Sequence, residues 1–207
     1  MTPAEILAEG AGKLALNLPS ATQDKILAFL QLLARWNRVY NLTARRSPQE
    51  WMTHHVLDSL SVLPHVRGPL LLDVGSGAGL PGLILAMARP DWRVVSVETV
   101  DKKASFQRQA VAELGLANVQ VEACRVEELA LSDRSDTVIS RAFSSLGEFV
   151  NLTRDLLKPG GEWAAMKGRV PLEEITALPE DVKVSRVLAL KVPGLNAERC
   201  IVFIEQN

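Results

Sequence analysis

The chain has 207 residues, 47% apolar and 23% charged, with a formal net charge of −1 and a pI near 6.3. That length suits one domain with a real core, and the composition excludes a disordered chain. The near-neutral charge excludes nucleic-acid binding by bulk field, so an RNA partner would have to be met by a local basic patch.

No apolar run reaches the ~18–20 residues of a membrane span, and the N-terminus, MTPAEILAEG, has no basic and apolar leader. A cytoplasmic, monomeric protein without a membrane partner is expected. Cys124 and Cys200 lie far apart and suggest a reducing compartment rather than a disulfide framework. His54, His55 and His65 form no ligand pattern with Cys or acidic residues, so no metal is expected.

In chain order, the first third reads helical. Ile26, Phe29, Leu30 and Leu33 recur at helical spacing, as do Met52, Val56, Leu60 and Leu63. Ser20 and Ser47 are candidate N-caps, with Pro48 suited to a first turn. WNRVYNLTARR (36–46) reads as the connection between them.

From about residue 69 short apolar runs alternate with helical patterns. The runs are PLLLDV (69–74), RVVSVE (93–98), NVQVEA (118–123), DTVIS (136–140) and EWAAMK (162–167). Helices are expected at 81–89, 101–114 and 145–157, the last opened by Ser145 and Glu148 and closed by the KPGG of 158–161. Continuous apolar strands alternating with helices predict an α/β fold with a parallel sheet. VKVSRVLALKV (182–192) and ERCIVFIEQ (198–206) have no helix between them and read as an antiparallel hairpin closing that sheet.

Asp73-Val74-Gly75-Ser76-Gly77-Ala78-Gly79-Leu80-Pro81-Gly82 falls at the first strand-to-helix turn. Glycines there permit positive φ and let a ligand approach backbone. Gly77, Gly79 and Gly82 satisfy G-x-G-x-x-G, but that register starts two residues late and puts its third glycine behind a proline. Glu98, ending the second strand, can accept hydrogen bonds from ribose hydroxyls, a role common to nucleotide cofactors. A dinucleotide enzyme normally continues into a second mononucleotide half, for which this chain has no room.

The architecture instead resembles the Rossmann-like class I S-adenosylmethionine-dependent methyltransferases, with a seven-stranded sheet and an antiparallel C-terminal strand. In that class the glycine turn receives the amino-acid part of the cofactor. Methylation at pyrimidine carbon-5 usually needs a cysteine nucleophile, commonly beside proline, a setting that Cys124 and Cys200 lack. Exocyclic amines often use an Asn/Asp-Pro-Pro-aromatic motif, where this chain reads Ser140-Arg141-Ala142-Phe143. An exposed lone pair such as guanine N7 needs neither, which permits that acceptor without selecting it.

A narrower resemblance runs through WNRVYNLT (36–43), HHVLDS (54–59), LLDVGSGAGLPG (71–82), CRVEE (124–128), ISRAF (139–143), MKG (166–168) and ERCIV (198–202). This set resembles the bacterial small-subunit ribosomal RNA guanine-N7 methyltransferases, historically the glucose-inhibited division protein B family. The chain departs in Cys124, where serine or glycine is common, and in Glu98 in place of Asp.

The resemblance implies S-adenosyl-L-methionine as cofactor and 16S ribosomal RNA, free or in the small subunit, as partner. It implies a helical N-terminal extension (1–66) packed on a methyltransferase domain (67–207). Asp73, Gly75, Gly77, Gly79, Leu80, Glu98, Val126, Glu127 and Arg141 would hold the cofactor. Arg141 and Lys167 would position substrate, with Arg45, Arg46 and Arg199 on RNA. His55 and Asp58 read as docking residues of the extension without chemistry, and Trp36, Tyr40 and Trp51 as core. Lys102-Lys103 reads as a solvated pair. The same fold acting on a small molecule, and a non-catalytic RNA-binding module, stay open as alternatives.

Overall fold

The computed structural model describes residues 1–207 apart from Arg45, Arg46 and Ala142. Helices α1 (Pro3–Lys13), α2 (Ser20–Tyr40) and α3 (Pro48–Trp51) come first. A π-helical turn, Met52–Leu57, then runs into α4 (Asp58–Leu60). Strands and helices alternate through β1 (Leu70–Val74), α5 (Gly82–Ala88), β2 (Arg93–Val97), α6 (Asp101–Leu114), β3 (Val119–Glu122), β4 (Ser135–Ser140), α7 (Leu146–Thr153) and β5 (Leu157–Lys167). Short 3₁₀ turns occupy Val126–Glu128 and Arg154–Leu156, and α8 (Leu172–Thr176), β6 (Val182–Ala189) and β7 (Cys200–Gln206) complete the chain.

The seven strands form one sheet in the order β3-β2-β1-β4-β5-β7-β6. The first five are parallel, and β7 is inserted antiparallel between β5 and β6. The order reverses between β1 and β4, and a crevice opens at the carboxyl ends of strands where such a reversal occurs. All five residues of β1 are buried, as expected of a strand covered on both faces.

Alternation along β1 separates the two faces. Leu70, Leu72 and Val74 pack with Leu146, Phe149 and Val150 of α7. Leu71 packs with Leu85 and Ala86 of α5 and with Val62 and Val66 on the opposite face. Beyond α5 and α6 lie the N-terminal helices, whose Ile26, Phe29, Leu30 and Leu33 form one core with Leu83, Ile84, Met87 and Phe106. Full burial of each such side chain contributes about 1.5–3 kcal/mol, which fixes this layer against the sheet domain. Among the described residues no helix is long and apolar enough to cross a membrane.

Several boundaries differ from expectation. Helix α2 begins at Ser20 with Pro19 at its N-cap, so Ser20 does not cap. It also runs through Trp36–Tyr40 and stops only where Asn41 turns left-handed, at φ 49°. Trp36 is retained in helix because its ring packs on Phe106, 5.8 Å between centroids. The expected helix at 145–157 ends at Thr153, because Leu157 begins β5 and pairs with Ser135. The glycines of KPGG therefore lie inside β5, absorbing a register shift between the Ser135 and Thr137 pairings. Ser145 does accept the Glu148 amide, but the Glu148 carboxylate bonds the Ser144 hydroxyl, so the reciprocal half of the box is missing. The box at Ser47 and Glu50 is complete, with Pro48 at the first turn.

Candidate functional site

The glycine turn lies over the strand-order reversal. Gly75, Gly77 and Gly79 have φ of 68°, 60° and 80°, where a Cβ would be strained. A Cβ on Gly77 would meet nothing within 4 Å, so that glycine faces open space. Gly82 has a different reason: a Cβ there would lie 2.7 Å from Asp73 Oδ2. The same carboxylate oxygen accepts the Gly82 amide at 2.7 Å.

The amides of the turn are largely consumed within the protein. Gly75 and Ser76 donate to the Val97 carbonyl at 3.0 and 3.2 Å. Gly79 and Leu80 donate to the Ser76 carbonyl. The Gly77 amide goes to Glu98 Oε2 at 2.7 Å, while Oε1 accepts the Val100 amide at 2.8 Å. From below, the fully buried Gln107 donates to Ser76 Oγ and the Gly77 carbonyl, both at 2.8 Å. A phosphate needs free N–H donors and the positive end of a helix. Here the donors are engaged and a carboxyl group sits at the start of α5. The turn therefore lacks the cluster of free N–H donors that a phosphate takes.

Asp73 lies beneath the turn and is fully buried. Burial pushes its carboxyl up to about 7, against the opposing pull of the Gly82 amide and of Arg141. Its second oxygen, Oδ1, is buried with no hydrogen-bond partner. A buried carboxyl in this condition gains from an incoming cation.

Three cavities line the carboxyl edge of the sheet. One of about 370 Å³ is bordered by Gly75, Val97, Cys124, Val126, Glu127 and Phe143. A smaller one of about 180 Å³, on the other side of the turn, is bordered by Thr43, His55, Gly77, Leu80, Lys103 and Arg141, and shares Gly75 with the first. The third, about 360 Å³, is lined by His54, His55, Asp58, Arg141, Lys167 and Arg199. His55 and Arg141 are common to the second and third.

The structure thus gathers Asp73, Gly75, Gly77, Gly79, Leu80 and Glu98 about one turn, and sets Val126 and Glu127 across the first cavity from it. Arg141, Lys167 and Arg199 meet in the third cavity. Lys167 Nζ bonds Glu174 at 2.8 Å and the Phe143 carbonyl at 3.3 Å. Arg45 and Arg46 lie outside the described residues. Of the lysine pair, Lys103 lines the second cavity and Lys102 bonds the Tyr40 carbonyl at 3.0 Å. Trp51 is buried, whereas the Tyr40 ring rests on Trp36 and is 44% exposed.

Asp58 is the residue that sequence reasoning placed outside the site. It is 2% exposed, and its two oxygens accept from Arg199 Nε at 3.1 Å and Arg141 Nη1 at 3.3 Å. His55 also belongs to the cavity wall, its Nε2 2.9 Å from Thr43 Oγ1. The available signal was an acidic residue on an apolar helix face, which requires a buried cationic partner.

The strand order, with β7 inserted antiparallel beside β5, is that of the class I S-adenosylmethionine-dependent methyltransferase fold. A methyltransferase of this cofactor dependence from Aquifex aeolicus superposes with a TM-score of 0.57 at 22% identity, over 75% of this chain and 92% of that one. A glycopeptide N-methyltransferase complexed with S-adenosyl-L-homocysteine gives 0.63 at 12% identity, over 74% and 87%. Residues 22–202 match the family model GidB, described as rRNA small subunit methyltransferase G, and the chain belongs to that family. A protein named ribosomal RNA small subunit methyltransferase G from Methylobacillus flagellatus is 54% identical over 96% of both chains. One of the same name from Neisseria meningitidis serogroup B is 49% identical over 98% of both.

Proposed function

We propose that the protein is an S-adenosylmethionine-dependent methyltransferase that modifies N7 of a guanine in 16S ribosomal RNA of the small subunit. The observation that carries this reading is the shared wall of two cavities. A glycine turn with few free N–H donors borders one cavity, and His55 and Arg141 line both it and the basic cavity beside it. The family match and the names of the relatives support the ribosomal substrate.

On this reading Gly75, Gly77, Gly79 and Leu80 border the amino-acid part of the cofactor, with Asp73 beneath its ammonium. Glu98 uses one lone pair of each oxygen on backbone amides and keeps the others for ribose hydroxyls. Val126 and Glu127 flank the adenine. Arg141 stands between cofactor and acceptor, with Lys167 and Arg199 on the RNA side and Arg45-Arg46 extending the basic surface. When bound, S-adenosylmethionine supplies an electrophilic methyl group, which an exposed ring nitrogen can take without losing a proton.

That chemistry fits the acceptor cavity. Among the described residues its only lining carboxylate, Asp58, is engaged by two arginines and is not set as a general base. Positioning is then the chain's main contribution. Residues 1–66 form the extension that walls this cavity and 67–207 the domain that binds cofactor, and the protein acts as a monomer in the cytoplasm.

The test is transfer of label from S-adenosylmethionine to small subunits, or to naked 16S RNA, from cells lacking the enzyme. Incorporation into one of them is expected. Label in neither would refute the ribosomal reading and leave the small-molecule alternative standing.

A further inference from the structure

We infer that Asp58 is a positioning residue for RNA, holding Arg141 and Arg199 as a pair whose outer edges grip one backbone phosphate in the cavity they share with Lys167. This rests on the function proposed above and adds the ligand group and the residue that prepares its site.

Arg141 follows β4 and Arg199 precedes β7, so two guanidinium groups from distant parts of the chain converge on one wall. Left alone they would repel. Each oxygen of Asp58 takes a different arginine, and the His54 carbonyl accepts from Arg141 Nη1 at 3.3 Å. Asp58 directly follows the π-helical turn, a wide turn of the kind often found at functional sites, which carries His54, His55 and Asp58 to the cavity.

The arginines are only partly spent. Among the described residues Arg141 Nε and Nη2, and Arg199 Nη2, have no partner, while Arg199 Nη1 donates to the Glu198 carbonyl at 2.8 Å. Lys167 is paired with Glu174, and among the described residues Asp58 alone faces the two arginines, so the wall stays positive by one guanidinium charge. Planar guanidinium edges beside an ammonium suit a phosphodiester better than a base edge with no negative charge. Asp58 itself is too enclosed to touch RNA.

The experiment titrates a 16S RNA fragment against wild type, Asp58→Asn, Asp58→Glu, Arg199→Ala and the Asp58→Asn/Arg199→Ala double variant at several salt concentrations, alongside methyl-transfer kinetics. Asp58→Asn is expected to weaken RNA binding and raise the RNA KM on the order of tenfold, and to lower the salt slope by about one. Cofactor affinity should stay within about twofold, and Asp58→Glu, which keeps the charge, should lose only about threefold in RNA affinity. The double variant should lose less than the sum of the two single losses, since Asp58 then has only Arg141 left to position.

Wild-type RNA affinity and salt slope in Asp58→Asn would overturn the proposal, as would additive losses in the double variant. If Asp58→Asn does not fold, wild-type RNA affinity and salt slope in Arg199→Ala would overturn it as well. Absence of methyl transfer by the wild type would count against the enzymatic reading alone, since the binding titration decides the role of Asp58 without turnover.

Discussion

Two carboxyl groups, nine residues and one strand away from their partners, brace the glycine turn. Asp73 lies under the start of α5 and Glu98 ties the Gly77 amide to the loop before α6. The motif DVGSGAGLPG was legible as the first strand-to-helix turn, but the reason for its last glycine was not. Gly82 is required by the Asp73 carboxylate packed against it, a contact that spacing alone does not display. Replacing Gly75, at φ 68°, with Val should cut cofactor affinity by more than about a hundredfold, read by calorimetry, with the melting transition still cooperative. Unchanged affinity would mean that this turn does not meet the ligand.

Asp73 also gives a pH dependence. Its folded value of about 7 lies above the ordinary 3.8, so the folded chain holds the extra proton between those limits. Its contribution to stability therefore falls as pH rises through that window and is level above it. A bound ammonium favours the ionised carboxyl, so cofactor affinity should increase between about pH 5.5 and about pH 7.5. Asp73→Asn should flatten both profiles in denaturant and calorimetric titrations, and a wild-type profile already flat would remove Asp73 from the cofactor site.

At the scale of elements, periodicity located helices and strands well and failed where tertiary packing overrode local signals. Trp36 and Tyr40 looked like a connection because amide and basic residues interrupt the apolar pattern, yet Phe106 holds that turn in α2. The KPGG tract looked like a helix stop and became a bulge within β5, because Leu157 already pairs with Ser135. The π-helical turn was invisible, since Met52, Val56 and Leu60 keep spacings that an ordinary helix would also satisfy. That wide turn brings Asp58 to the arginines. Its entrance depends on the Ser47 cap, where Oγ accepts the Glu50 amide at 3.1 Å. Ser47→Ala should lower stability by about 1 kcal/mol, measured as a shift in the urea midpoint. No shift would show that packing of Trp51 alone sets the start of α3.

Across the molecule, the cavity walls draw on both parts of the chain. The sheet supplies the glycine turn, Arg141, Lys167 and Arg199, while the N-terminal helices supply His54, His55 and Asp58. Composition made RNA an unpromising partner, because a net charge of −1 says nothing about where cations gather. Three of them gather at one cavity, with an internal carboxylate to align two. The alternation of strands and helices and the closing hairpin were enough to read the α/β sheet and its inserted antiparallel strand. The convergence of Asp58 on Arg141 and Arg199 depends on contacts across 83 and 141 residues of chain, which no local pattern encodes.

Nucleoside analysis of the labelled product distinguishes methyl transfer to a guanine ring nitrogen of small-subunit RNA from transfer to any other acceptor. Digested 16S RNA from the transfer reaction should carry its label as 7-methylguanosine, at a single position, and Arg141→Ala should lose most of that product while keeping its fold. Label recovered in a pyrimidine, on an exocyclic amine or on ribose would rule out guanine N7 as the acceptor.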